Sequence, residues 1–171
     1  GYDDCPGHPT WFEPVEWLGS ESAEEYPLHL VSNQPKTRLH SQLDPGLTSV
    51  SSKVKQREAL TIHPDDAAAR GIGDGDVLRV FNGRGECLAG ARVSEVVRPG
   101  VIVLPTGAWY DPESPGGIDR HGNPNVLTLD RGTSRLAQGS IAHSALVEVE
   151  RFEGEPPAVA VFEPPGMSDG R

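Results

Sequence analysis

Glu58-Ala59-Leu60-Thr61-Ile62-His63-Pro64-Asp65-Asp66-Ala67-Ala68-Ala69-Arg70-Gly71-Ile72-Gly73-Asp74-Gly75-Asp76 is the stretch that decides the fold. Residues 58–62 alternate as a strand does. Pro64, two acids in the first turn, an alanine interior and Gly71 then carry the start and stop signals of a short helix. A tight turn at 72–76 feeds a strand over 77–81. Asn82-Gly83-Arg84-Gly85 reads as a hairpin turn, with a return strand over 86–93. Further out, the Pro99-Gly100 turn precedes a strand at 101–104, residues 145–149 form a last strand, and Leu28 and Leu30 alternating with His29 and Val31 form a first one. Hairpins and crossing strands around one short helix predict a closed β-barrel, because closure removes exposed edges.

Composition agrees with that reading. The chain has 171 residues and is 36% hydrophobic, enough for one core, and its 20 Gly and 16 Pro exclude a helical bundle. A formal net charge of −10 excludes a nucleic-acid binder, whose affinity for phosphates rests on Lys and Arg. The basic residues Lys36, Arg38 and His40 nonetheless form a local cluster. Cys5 and Cys87 have no CxxC spacing and read as free thiols. No apolar run reaches the roughly 20 residues that span a bilayer, and residues 1–25 lack the pattern of a signal peptide.

Between the strands lie the segments with functional character. Residues 1–25 mix Pro6, Pro9 and Pro14 with Trp11, Phe12 and Trp17. They read as an arm packed either on a preceding domain or on this one. The domain proper is expected over 26–151. Residues 32–42 form a polar loop directly after the first strand, a favoured place for ligand contacts. The serine-rich run 43–55 reads as loop or mobile chain, and 106–122 as a long loop of the kind that carries function. Residues 152–171, rich in Pro and Glu, read as a tail.

Four pieces in order point to a family. The 58–76 stretch resembles the signature of the molybdopterin dinucleotide-binding domain of the dimethyl sulfoxide reductase family. Leu30-Val31-Ser32-Asn33-Gln34-Pro35-Lys36-Thr37-Arg38-Leu39-His40-Ser41-Gln42, Gly107-Ala108-Trp109-Tyr110-Asp111-Pro112 and Gly122-Asn123-Pro124-Asn125-Val126-Leu127-Thr128 resemble the branch of trimethylamine N-oxide, dimethyl sulfoxide and biotin sulfoxide reductases. Gly1-Tyr2-Asp3-Asp4-Cys5-Pro6 is similar to the segment preceding this domain in those enzymes. The resemblance implies a mainly β, six-stranded double-psi β-barrel with short helices and long loops. It also implies a bis(molybdopterin guanine dinucleotide) molybdenum cofactor shared with upstream catalytic domains of the same polypeptide, and an S-oxide or N-oxide reductase acting by oxygen-atom transfer. The metal's protein ligand falls upstream in that family, so no residue of this chain is expected to be catalytic or to bind metal. The segment alone is expected to be inactive, and any targeting signal, cytoplasmic and periplasmic branches both being known, would also lie upstream.

Within that resemblance, Ser32, Asn33, Gln34, Lys36, Arg38, Leu39, His40, Ser41 and Gln42 form the first cofactor-contact segment. Arg38 offers a fork and Lys36 a point charge to pyrophosphate or ring carbonyls. The amides of Asn33, Gln34 and Gln42 match pterin edges. His40 donates to the pterin or dithiolene region, and Ser41 fills remaining hydrogen bonds. Asn125, Gln138, Gly139 and Ser140 form a second contact region, and Trp109 stacks on the cofactor or walls a substrate funnel. Other uses stay open. Composition alone favours a solvated loop at 32–42, Asn125 suits a turn beside Pro124, and Trp109 suits a core or domain interface. His63 reads as a helix cap; His29, His121 and His143 lack metal-site spacing. The alternative function is a stand-alone barrel module for binding or interaction without redox activity, since one fold hosts unrelated functions.

Overall fold

The computed structural model describes residues 2–164; Gly1, at the start of the arm, and residues 165–171, at the end of the tail, lie outside the described residues. The elements are β1 (Leu28–Val31), α1 (Leu47–Ser52), β2 (Ala59–Ile62), α2 (Pro64–Ala69), β3 (Val77–Asn82), β4 (Gly85–Val93), β5 (Val101–Val103) and β6 (Leu146–Arg151), with 3-10 turns at Glu21–Glu24 and Pro124–Leu127. Among the described residues the strands close into one six-stranded double-psi barrel in the order β1-β5-β2-β4-β3-β6.

Local chemistry accounts for the elements. In the β3–β4 hairpin the register runs from Val77↔Gly90 to Asn82↔Gly85. Two glycines of β4 have steric reasons: a Cβ on Gly90 would lie 2.3 Å from Cβ of Val54, and one on Gly85 2.7 Å from the Val126 carbonyl oxygen. At the start of α2, His63 Nδ1 accepts a hydrogen bond from the Asp65 N–H at 3.2 Å, the capping role its place before Pro64 predicts. Gly71, at φ +63°, follows the helix in the left-handed conformation that only Gly adopts at little cost. Inside the barrel Leu30, Leu60, Ile62, Leu78, Val80 and Ile102 are fully buried. Each contributes about 1.5–3 kcal/mol of apolar transfer.

One segment differs from its sequence reading, and the arm is docked only in part. The 43–55 run contains a helix, α1. Its Thr, Ser and Val residues are poor helix formers; side-chain contacts hold it, with Ser49 Oγ donating to the buried Asp44 carboxylate at 3.0 Å and accepting from Arg38 Nη1 at 3.3 Å. The arm divides in two. Glu16 pairs with Arg84 and accepts the Leu146 N–H at 2.8 Å, docking that part on the barrel, whereas Trp11 is 83% and Phe12 53% exposed.

Candidate functional site

Because β1 and β5 run parallel in register, Val31 beside Val103, the loops that follow them leave the same end of the barrel. Their first residues are tied together: Leu104 N–H donates to the Val31 carbonyl and Thr106 N–H to the Asn33 carbonyl, both at 3.0 Å. Beyond this point the backbones nearly touch. A Cβ on Gly107, which sits at φ +93°, would lie 1.9 Å from the His40 carbonyl oxygen, and His40 itself takes φ 49°. Trp109 Nε1 completes the seam by donating to the Ser41 carbonyl at 2.7 Å.

A buried ionic cluster supports this seam from below. Arg38 Nη1 lies 3.0 Å from Glu58 and its Nε 3.5 Å from Asp44. Lys53 Nζ lies 2.8 Å from Asp44 and 3.0 Å from Glu58. Two cations and two anions thus cancel, as burial requires. The remaining donors of Arg38 reach the His40 carbonyl at 3.1 Å and the Thr106 carbonyl at 2.8 Å, one on each loop. Burial pushes the Asp44 carboxyl up, but the Lys53 ammonium and the Trp109 N–H outweigh it and hold it below its ordinary value. His121 is buried alongside. Its Nδ1 is 3.0 Å from the Trp109 carbonyl, so that nitrogen carries the proton. Burial and the Lys53 charge push its pKa down, against the opposing pull of Asp44.

Asp119 organises the third wall. Fully buried, its carboxylate accepts N–H bonds from Asp111, Gly122 and Asn123 at 2.7 Å each and from His121 at 3.3 Å. It thereby clamps the 109–111 segment to the turn at 121–125. Asn123 then caps the Pro124–Leu127 turn through Oδ1, which accepts the Asn125 N–H at 2.9 Å.

These three walls border an open cavity of about 640 Å³ lined by His40, Ser41, Trp109, Tyr110, Asn123, Asn125 and Val161, with residues 106–108. The family-like segments 32–42, 107–112 and 122–128 all meet there. No carboxylate lines it among the described residues, although the chain carries 25 acidic residues. A second hollow, of about 590 Å³, is lined by Asn33, Gln34 and Lys36 together with Arg92, Thr61 and Glu58, the last paired with Arg38 and Lys53.

The predicted residues therefore fall into groups. His40, Ser41, Trp109 and Asn125 share the first cavity; Asn33, Gln34 and Lys36 line the second. Gln34 also braces its own loop, its Nε2 donating to the Arg38 carbonyl at 2.6 Å and its Oε1 accepting the His40 N–H at 3.1 Å. Arg38 faces inward, its guanidinium engaged by Asp44, Glu58 and two carbonyls, so in this structure it shapes the loop instead of projecting a fork at a ligand. Ser32 is half-buried, its N–H 3.4 Å from His143 Nδ1. Leu39 and Gln42 are exposed at the loop tip, closed by a Gln42 N–H bond to the Leu39 carbonyl. Gln138, Gly139 and Ser140 lie apart from both hollows on the 132–140 hairpin. There Gln138 Nε2 donates to the Ser134 carbonyl and Gly132 bridges Ser140. Asp44, Lys53 and Asp119 were given no site role by the sequence reading, which weighed His121 only as a metal ligand and Asn123 only as part of the 122–128 segment. Only Asn123 carried a signal, an Asn immediately before Pro at a helical start. Among the described residues no group of three His, Cys, Asp or Glu side chains could hold a metal, and no helix is long and apolar enough to cross a membrane.

The loops that follow the parallel strands of the barrel thus border a polar cavity with no carboxylate among its described lining residues. The chain belongs to the Molydopterin dinucleotide binding domain family, whose model matches residues 28–146. It is 54% identical over 96% of its length to a dimethyl sulfoxide/trimethylamine N-oxide reductase of Cereibacter sphaeroides. It is 52% identical over 91% to a biotin sulfoxide reductase of the same organism, and 52% identical over 90% to trimethylamine-N-oxide reductase 1 of Escherichia coli K12. It covers only 20%, 21% and 19% of those relatives. Among solved structures, acetylene hydratase from Pelobacter acetylenicus shares the fold, with TM-score 0.68 and 19% identity over 84% of this chain and 21% of that one. The family implies a molybdopterin guanine dinucleotide molybdenum cofactor. The donor set fits it: side-chain amides, an imidazole and a hydroxyl face the cavity, with no carboxylate among the described residues to repel a phosphorylated heterocycle.

Proposed function

We propose that this chain is the C-terminal cofactor-holding domain of a molybdenum enzyme that reduces an S-oxide or N-oxide by oxygen-atom transfer. Upstream catalytic domains of the same polypeptide would supply the rest of the cofactor site, including any protein ligand to the metal. The observation that carries the reading is the cavity in which His40, Ser41, Trp109 and Asn125 converge without a carboxylate. When bound, the cofactor supplies the redox chemistry, and the protein supplies binding and orientation.

His40, Ser41 and Asn125 would hold polar edges of the cofactor, and the Trp109 ring would offer a flat apolar wall. Lys36 and Arg92, on the second hollow, present positive charge suited to phosphate oxygens. Arg38 contributes indirectly by fixing both loops through their carbonyls. Gln138, Gly139 and Ser140 would reach the ligand only through movement of the 132–140 hairpin.

The test uses the full-length protein expressed in a host that makes the cofactor. Molybdenum and guanine nucleotide released on denaturation are expected, together with reduction of an S-oxide or N-oxide. Protein that folds but carries neither molybdenum nor guanine would overturn the proposal and leave a barrel module of another use.

A further inference from the structure

The chain after β6 does not trail away. Arg57 Nη2 donates to the Pro157 carbonyl, and the Ala160 N–H donates to Asp111 Oδ2 at 2.9 Å. Asp111 is itself held by Arg120 and by its N–H bond to Asp119. Val161 lines the cavity. Phe162 then stands edge-on to two rings: its centroid is 5.7 Å from Trp109 and 5.1 Å from His121, at 69° and 85°. Two buried nitrogens beside this segment, Arg57 Nε and His121 Nε2, have no hydrogen-bond partner among the described residues, so the site would draw in water if opened.

From these contacts we propose that residues 157–162 form a strap and that Phe162 is a positioning residue for the cavity. By packing against Trp109 and His121 it fixes the wall that both share through the Trp109 carbonyl, and it keeps water from the Asp44–Lys53 pair beneath. The ligand that the wall faces rests on the cofactor reading above; the strap itself does not.

The experiment compares Phe162→Ala and Phe162→Tyr in the full-length protein. Hydrogen exchange is followed in peptides covering 106–111, 119–125 and the β3–β4 hairpin, together with the rate at which guanine nucleotide is lost. Edge-on aromatic pairs of this kind support a change of about three- to tenfold. Phe162→Ala should therefore speed exchange in both loop peptides and speed nucleotide loss by that factor, with the hairpin unchanged, and Phe162→Tyr should restore native values. Unchanged loop exchange in Phe162→Ala, or equal acceleration in loops and hairpin, would overturn the strap. If the native protein carries no guanine nucleotide, the exchange data alone decide the strap, and the missing nucleotide counts against the cofactor reading.

Discussion

In the barrel wall the fully buried positions are Leu30, Leu60, Ile62, Leu78 and Ile102; on the loop face, equally buried, they are Asp44, Asp119 and His121, with Arg38 and Glu58 close to it. The wall relies on backbone ladders and non-directional apolar packing, which tolerate small rearrangements. The loop face relies on opposite charges and carboxylate-to-amide bonds, each with a demanded geometry. The difference teaches why binding groups sit where they do. The inward side chains of the strands are committed to the apolar core, whereas loops braced from below by a neutral ionic cluster can turn amide and imidazole groups toward a ligand.

The largest effect should come from breaking that cluster. Lys53→Met leaves two carboxylates against one guanidinium, so a loss of about 3–5 kcal/mol is expected in denaturant unfolding. A loss below about 1 kcal/mol, the range of exposed pairs, would mean that water already reaches the cluster and would erase the contrast. Leu60→Ala should cost about 2–5 kcal/mol through cavity formation, while leaving exchange rates in the 106–111 loop relative to the rest of the molecule unchanged. If loop exchange rises selectively, wall and face are not separable.

Smaller changes sharpen the picture. Trp109→Phe removes the Nε1 bond to the Ser41 carbonyl and should cost about 0.5–1.5 kcal/mol, read as faster exchange confined to the seam. The smallest effect is pH dependence. The folded pKa of His121 is below its ordinary value, so the neutral form is favoured in the fold. Its stabilising contribution is present above about pH 6.5, the unfolded value, and falls as pH drops below it. Melting temperatures between pH 7.5 and 5.5 should decline less in His121→Gln than in the native chain. Asp44, also depressed, adds a further loss of stability at lower pH, beginning near its ordinary carboxylate pKa.

Much of the barrel was legible because its signals are local. Pro64, Gly71 and the alternation in 58–62 and 77–93 act within a few residues, and the β3–β4 turn lies where its Asn and Gly indicate. The site was legible as segments but not as an assembly. His40, Ser41, Trp109 and Asn125 were marked by resemblance to a family, and they share one cavity. Arg38 was marked as a ligand fork, yet it turns inward because Asp44 and Glu58 supply the countercharges that burial demands. Nothing near Lys53 or Asp119 in the sequence announces their burial, because their partners lie within ten residues but in irregular loops whose path no periodicity fixes. α1 is not legible in its own composition, since side-chain bonds from Ser49 to Asp44 and Arg38 hold it against weak helix propensities.

The pairing of β1 with β6 has a consequence in time. Leu28 lies beside Val147 and His29 beside Leu146, partners more than a hundred residues apart along the chain. At ribosomal speeds of about 5–20 residues per second, the first strand and the 32–42 loop emerge on the order of ten seconds before the strand that seals the barrel. Throughout that interval the β6-facing edge of β1 is open, and Val161, which lines the cavity, has yet to emerge. A nascent chain stalled before residue 146 would therefore present the aggregation hazard of an unpaired strand. Loading of any ligand into the cavity must follow release of the last strand, which makes cofactor insertion a late event in the life of the protein.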